Sequence, residues 1–468
     1  MLNKKFACIL LTLLTLYNCS KDDDNYVPIE SSLYEEGEEF LTGPLGINSS
    51  STDAFGFEIN GLTFSQLGQF AAGNSLFTQT WVSSPASTTA RDGLGPTFNA
   101  RSCTRCHFKD GRGTPLVNGE SSKGFLMRIS LPGQDANGFN NPVPGYGNQL
   151  QDLANFGISF EGRVNVDYSV ITGTYPDGRP YELQQPNYTL IEAMFGPLDN
   201  VLTSPRVGPQ TIGLGLVSAL PDSEILKLAD EFDSDNDGIS GRPNYVWNIK
   251  ENKATLGKYG WKANTPTLEQ QVAAAFHGDM GLTTKLFTQN NCPSPQQDCM
   301  DAFHGGDPEV TDAQLEDVVL YQATLAVPNR RNFRDENVLL GKQLFNELNC
   351  IGCHAIDLKT GTSSITPLLN NITIKPYSDF LLHDMGEALA DNRPDFLATG
   401  REWRTQPLWG IGLIDAVNKH TFLLHDGRAR NIEEAILWHG GEAENSKIGF
   451  INLTASERQN VLDFVNSL

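Results

Sequence analysis

Two pentapeptides, CTRCH at Cys103–His107 and CIGCH at Cys350–His354, hold the residues of this 468-residue chain whose spacing most narrowly defines a chemistry. In CxxCH the two thiols add across the vinyl groups of a haem and the adjacent His supplies an axial iron ligand, so one short turn serves attachment and ligation together. Two copies predict two covalently attached c-type haems, on Cys103, Cys106 and His107 and on Cys350, Cys353 and His354. The competing reading, a zinc ribbon, would bring a second CxxC within about 15–20 residues of the first. Neither copy has such a neighbour.

The other cysteines fit an exported protein. Lys4 and Lys5 precede an apolar run from Phe6 to Leu16 that is too short to span a bilayer, and the run leads to Cys19 and an acidic stretch. Residues 1–18 are therefore expected to be a lipoprotein signal, with Cys19 lipidated, and residues 19–50 a tether from an outer-membrane lipid to a periplasmic or surface-facing body. Cys292 and Cys299, seven residues apart in a Pro- and Gln-rich segment, are expected to form a local disulfide in an oxidising compartment. No cysteine pair is then left for thiol chemistry. A formal charge of −22 argues against nucleic acid as a partner. It suits a soluble body that meets a membrane only through its lipid.

Further residues are candidates for metal and proton chemistry. DSDNDG at 233–238 places Asp233, Asp235 and Asp237 at alternate positions before a Gly, the first half of a calcium loop, although Asn244 stands where the bidentate Glu would be. Calcium is the expectation there. His277, His304, His383, His420, His425 and His439 are the imidazoles available for the sixth position of either iron. A strong sixth ligand makes an electron-transfer haem, and an open position lets an oxidant reach the iron.

The elements that position these residues are written twice. GNSLF with Gly73 and Phe77 is matched by GKQLF with Gly341 and Phe345, the first separated from its haem motif by an insertion. Arg206, Pro209 and GLGL at 213–216 are matched by Arg404, Pro407 and GIGL at 410–413, and GWKA at 260–263 by DGRA at 426–429. Helical spacing of apolar residues predicts helices over 433–438, from 455 to the C-terminus, and over 312–325; a few short strands are expected near residues 115–190. The expected organisation is an enlarged N-terminal haem domain (51–290), a linker with a disulfide loop and a helix (291–330), and a C-terminal haem domain (331–468).

The run FLLHDGRARNIEEAILWHGGEA at 422–443 is similar to a stretch of the bacterial di-haem cytochrome c peroxidases that carries the distal Met of the electron-transfer haem; this chain has His439 there. Through FNARSC, GDMG, LLHDMG and EWRTQPLWGIGL, residues 60–468 more closely resemble the bacterial di-haem oxidoreductases, also labelled thiol oxidoreductases. A mainly α fold of two cytochrome c-like haem domains related by the internal repeat, with long loops and the inserted calcium-type loop, is the expectation. The resemblance implies His354/His439 coordination of the second haem, with Met385 as the rival ligand. At the first haem it implies Asp279 as the acid that cleaves peroxide, with His277 able to do the same or to close the site, as Met280 could. The paired Arg206 and Arg404 suit haem propionates, and Trp261, Trp409 and Trp438 suit the space between haems. The function implied is peroxide or other oxidant reduction at the N-terminal haem, with electrons from a redox donor protein or quinone-linked carrier arriving at the C-terminal haem. Two alternatives stand beside it: a non-catalytic electron relay, and oxidative modification of a partner protein.

Overall fold

The computed structural model describes residues 33–120 and 122–468. The expected signal and Cys19 lie outside the described residues. Helix accounts for 29% and strand for 17%, with eleven α-helices and several small sheets among the described residues, so the expectation of a mainly α fold is corrected to a mixed one. Glycine and proline are the physical reason. With 44 and 25 of them, the helices are short, the longest running over Phe64–Thr78, and long loops are pinned as six two-stranded antiparallel sheets.

The largest sheet is a hairpin of Arg163–Thr174 and Pro180–Ile191. Valines 164, 166 and 170 and Tyr168 alternate with polar residues, and Asp177-Gly178 makes the turn. Its tip reaches the C-terminal part of the chain: the Tyr175 hydroxyl donates to Glu433 at 2.8 Å and Asp177 pairs with Arg458. A second sheet pairs Phe125–Ser130 with Leu202–Val207, and a third pairs Leu382–Asp384 with Glu402–Arg404.

Two helix crossings carry the repeat. Phe64–Thr78 packs on Asp312–Ala323, and Glu336–Glu347 packs on Ala455–Ser467. Each crossing is closed by a glycine: a Cβ on Gly73 would lie 2.1 Å from the Asp317 carbonyl oxygen, and one on Gly341 would lie 1.8 Å from that of Asn460. One turn later Phe77 meets Tyr321 at 5.4 Å between ring centroids, and Phe345 meets Phe464 at 5.1 Å. The Asp312–Ala323 helix, which sequence reading assigned to a linker, thus stands in the first crossing where Ala455–Ser467 stands in the second. The described part of the expected tether is packed as well. Leu41 and Leu45 are buried, and Glu38 sits between Lys342 and Arg330. One apolar core runs through both halves of the sequence, and no helix among the described residues is long and apolar enough to cross a membrane.

Candidate haem-binding cavity

Both CxxCH motifs open onto one cavity of about 730 Å³. Each folds as a single 3-10 turn, and the His107 and His354 amides donate to the carbonyls of Cys103 and Cys350, both at 2.9 Å. The turn brings both thiols and the imidazole to the cavity wall. Each imidazole is then fixed from behind. His107 Nδ1–H donates to the Pro209 carbonyl at 2.7 Å and His354 Nδ1–H to that of Tyr377 at 2.8 Å, which leaves each Nε2 as the free lone pair an iron ligand must offer. Burial favours the neutral ring, lowering His107 and bringing His354 down to about 4. Phe77 and Phe345 lie 6.2 and 6.0 Å from these rings, so the helix crossings also position the ligands. The repeat is imperfect here: Pro209 holds His107, but Tyr377, not Pro407, holds His354.

His439 has the same design. It follows the Ile432–Trp438 helix, its Nδ1–H donates to the Ala435 carbonyl at 2.6 Å, it lines the cavity, and it lies close enough to His354 for a charge on it to disfavour protonation of His354. Met385 also lines this end. His383, near it in sequence, is engaged otherwise: it is buried between Asp379, 2.8 Å from its Nε2, and Glu442, 2.7 Å from its Nδ1, with Cys353 Sγ 3.5 Å away. Burial opposes its charge, but the Asp379 carboxylate and Cys353 together outweigh burial and hold its pKa well above the usual value. A charged imidazole between two carboxylates has no lone pair for iron.

The His107 end differs. Asp279, next to last in the Leu268–Met280 helix, lines the cavity close enough to Cys103, Cys106 and His107 for its charge to act on all three. The FNARSC segment holds it to the haem motif, since the Asn99 and Ala100 amides donate to its carbonyl at 2.9 and 3.0 Å. Gln149 Nε2 donates to its Oδ1 at 2.8 Å. His277 stacks on Phe287 and gives its Nε2–H to the Gln289 carbonyl at 3.0 Å, while the buried Met280 lines the cavity.

Arg206 and Arg404 both line the cavity, as their matched positions suggest. Arg206 Nη2 donates to Asp395 at 2.8 Å, and Arg404 donates to the Gly260 carbonyl at 2.8 Å and to Gln406. Trp261 and Trp409 line it too, with Nε1–H bonds to the Val207 and Lys375 carbonyls, whereas Trp438 is buried under Arg428. Sequence reading missed Gln149, Arg128, Arg393 and Trp403, whose ring stacks 3.8 Å from that of His425. Only Arg128 left a trace, as a lone charge in the apolar strand FLMRIS.

The buried polar inventory fits a large, partly anionic group. Arg128 Nε, Arg393 Nε and Nη1, and His425 Nε2 are buried in the cavity wall with no hydrogen-bond partner from the protein. The family model described as "di-haem oxidoreductase, putative peroxidase" matches residues 46–468. The chain belongs to this family. No curated protein matches it. Membership in the di-haem oxidoreductases brings two haems and redox chemistry with it. The cavity contains two sets of residues of the kind that hold a haem.

Away from the cavity, Cys292 and Cys299 are joined with an S–S distance of 2.08 Å. Among the described residues, Asp230, Asp233 and Asp235 bring ligand oxygens within 4.8 Å of one another. Asp237 is turned aside, accepting from the Ile239 amide at 2.8 Å and from Asn349 Nδ2 at 3.3 Å. That last contact joins the acidic loop to the CIGCH turn.

Proposed function

We propose that this di-haem oxidoreductase binds haem c covalently at Cys103/Cys106 and Cys350/Cys353, accepts electrons at the C-terminal haem and reduces peroxide at the N-terminal one. The observation that carries the reading is the inequality of the two ends of the cavity. At one end His354 is accompanied by a second imidazole, His439, with a free Nε2. At the other, His107 is accompanied by a carboxylate aimed by Gln149, and the nearby His277 has its Nε2 engaged elsewhere.

Haem supplies the redox iron, which passes electrons when two strong ligands hold it and reacts with small oxidants when one position is open. The chain's own residues do the rest. His107 and His354 bind, with their orientation fixed by Pro209 and Tyr377. Peroxide needs two electrons and two protons to become two waters, and its O–O bond breaks heterolytically when a proton leaves the near oxygen and reaches the far one. Asp279 can make that transfer: Gln149 fixes Oδ1, and Oδ2 is left to take and return the proton. Trp261, between backbone anchor and Arg112, gives the cavity a rigid aromatic wall.

EPR of the oxidised and half-reduced protein, with and without peroxide, tests this. One low-spin iron and one that becomes open and responds to peroxide are expected; two irons that stay low-spin and indifferent to peroxide would refute it. Met280 in the wall at the first end favours that alternative, an electron relay with both irons closed. We further propose export with a lipid anchor and a soluble redox protein or quinone-linked carrier as donor. The Cys292–Cys299 bond and two CxxCH sites suit an oxidising compartment.

A further inference from the structure

We infer that Arg128, Arg206 and Arg393 form a clamp for the two propionates of the first haem, assembled from both halves of the chain. The inference rests on the reading that a haem occupies the CTRCH end. Arg128 comes from the strand Phe125–Ser130 and Arg206 from its partner Leu202–Val207, whereas Arg393 and Asp395 come from the loop between Leu389 and Glu402. All three guanidiniums face the cavity.

Their charges do not balance within the protein. Asp395 is the shared counter-ion, 2.8 Å from Arg206 Nη2 and 3.7 Å from Arg393 Nη1. The neighbouring Lys262 does not change the count, because it is neutralised by Asp391 at 2.7 Å and caps the Arg393 and Thr399 carbonyls. Three guanidiniums against one carboxylate leave two positive charges, the complement of two propionates. The charge of Asp279 also reaches Arg128 and offsets part of this excess from outside the cluster.

Hydrogen bonding leads to the same place. Arg128 Nε and Arg393 Nε and Nη1 are buried without a hydrogen-bond partner from the protein, and an uncompensated buried charge costs several kcal/mol. A planar guanidinium pairs with a carboxylate through two parallel bonds, so three of them around one carboxylate have donors to spare for two more. Arg128 is bridged in antiparallel register to Gln149, whose side chain holds Asp279 at 2.8 Å, which puts the clamp at the first haem's end. One haem would thereby join residues from both halves.

The test is an EPR-monitored redox titration of the holoprotein, which follows the two irons separately, in wild type, Arg128→Gln, Arg393→Gln and Arg393→Lys. Loss of a cation beside the first haem favours its ferric form, so each Gln variant should lower that haem's midpoint potential and leave the second unmoved. Arg393→Lys should restore most of the shift, which a purely structural role would not do. An unchanged first potential, or a shift at the second haem only, overturns the clamp. A free carboxylate or phosphate as occupant is the rival source of the same chemistry. It would make the wild-type potential depend on added acetate or phosphate and would likewise overturn the assignment.

If a Gln variant does not accumulate, wild type carrying haem labelled with ¹³C at the propionates decides by redox-difference infrared spectroscopy. Isotope-sensitive ionised carboxylate bands are expected, and a protonated-acid band overturns the clamp. Mass spectrometry of the peptide carrying Cys103–His107 separates this failure from that of the underlying reading: a peptide without haem removes both.

Discussion

At the scale of single residues the cavity repeats one device three times. An imidazole gives its Nδ1–H to a backbone carbonyl and leaves Nε2 as a free lone pair, at His107, His354 and His439. Replacing the third should therefore alter one iron only. In His439→Ala the second haem is expected to go from low-spin to high-spin while both haems stay attached, and an EPR spectrum of the oxidised protein with its low-spin signal intact would remove His439 as the ligand. Asp279→Asn asks the complementary question at the first haem. The amide keeps an oxygen for the Gln149 bond but cannot carry a proton, so peroxide turnover should fall by about 100- to 10,000-fold. Haem content and the second haem's EPR signal should be unchanged, and an unchanged turnover would show that Asp279 only buttresses the FNARSC segment.

At the scale of elements, positions where backbone must touch backbone were legible in the sequence. Gly73 and Gly341 recur with Phe77 and Phe345 because the helices cross too closely for any Cβ, and a constraint of that kind leaves the same residue in both copies. Gly341→Ala should cost the holoprotein about 1–3 kcal/mol by forcing the crossing apart. Gly68→Ala is the control: it lies in a helix with nothing within 4 Å of its missing Cβ, so about 1 kcal/mol of stabilisation is expected. Equal effects in denaturant titration would remove the crossing argument. The long hairpin was less legible despite its Asp177-Gly178 turn, because its strands are largely exposed and carry Asn165, Asp167, Gln184, Gln185 and Pro186. Short strands were expected near residues 115–190, where both arms of this hairpin lie; what helical spacing overlooked is their length and the small sheets elsewhere. Arg128 and Arg393 could not have been paired from sequence at all, since only the folded chain brings residues 128, 206 and 393 around Asp395.

At the scale of the whole molecule, buried polar groups connect the disulfide loop to the first haem's end. Gln296, inside the Cys292–Cys299 loop, donates its Nε2–H to Glu161 at 2.7 Å; Glu161 also accepts from the Gln151 amide at 2.8 Å; and Gln151 Nε2 donates to the carbonyl of Gly278, next to Asp279. Glu161 is the titrating member. Burial pushes its carboxyl up to about 8, against two hydrogen bonds that favour the ionised form. A carboxyl raised on folding binds more protons in the native than in the unfolded state, so its contribution is complete below its unfolded value near 4.5 and is lost as pH rises through about 8. Between those limits a single group can cost at most about 1.4 kcal/mol per pH unit. Denaturant titrations of the holoprotein from pH 5 upward should show that decline in wild type and a flatter profile in Glu161→Gln. If Glu161 governs the link as well as the stability, the first haem's response to peroxide should weaken over the same pH window in wild type and not in the variant. Parallel profiles for the two proteins would mean that Glu161 titrates outside this window and that the disulfide loop is not coupled to the cavity through it.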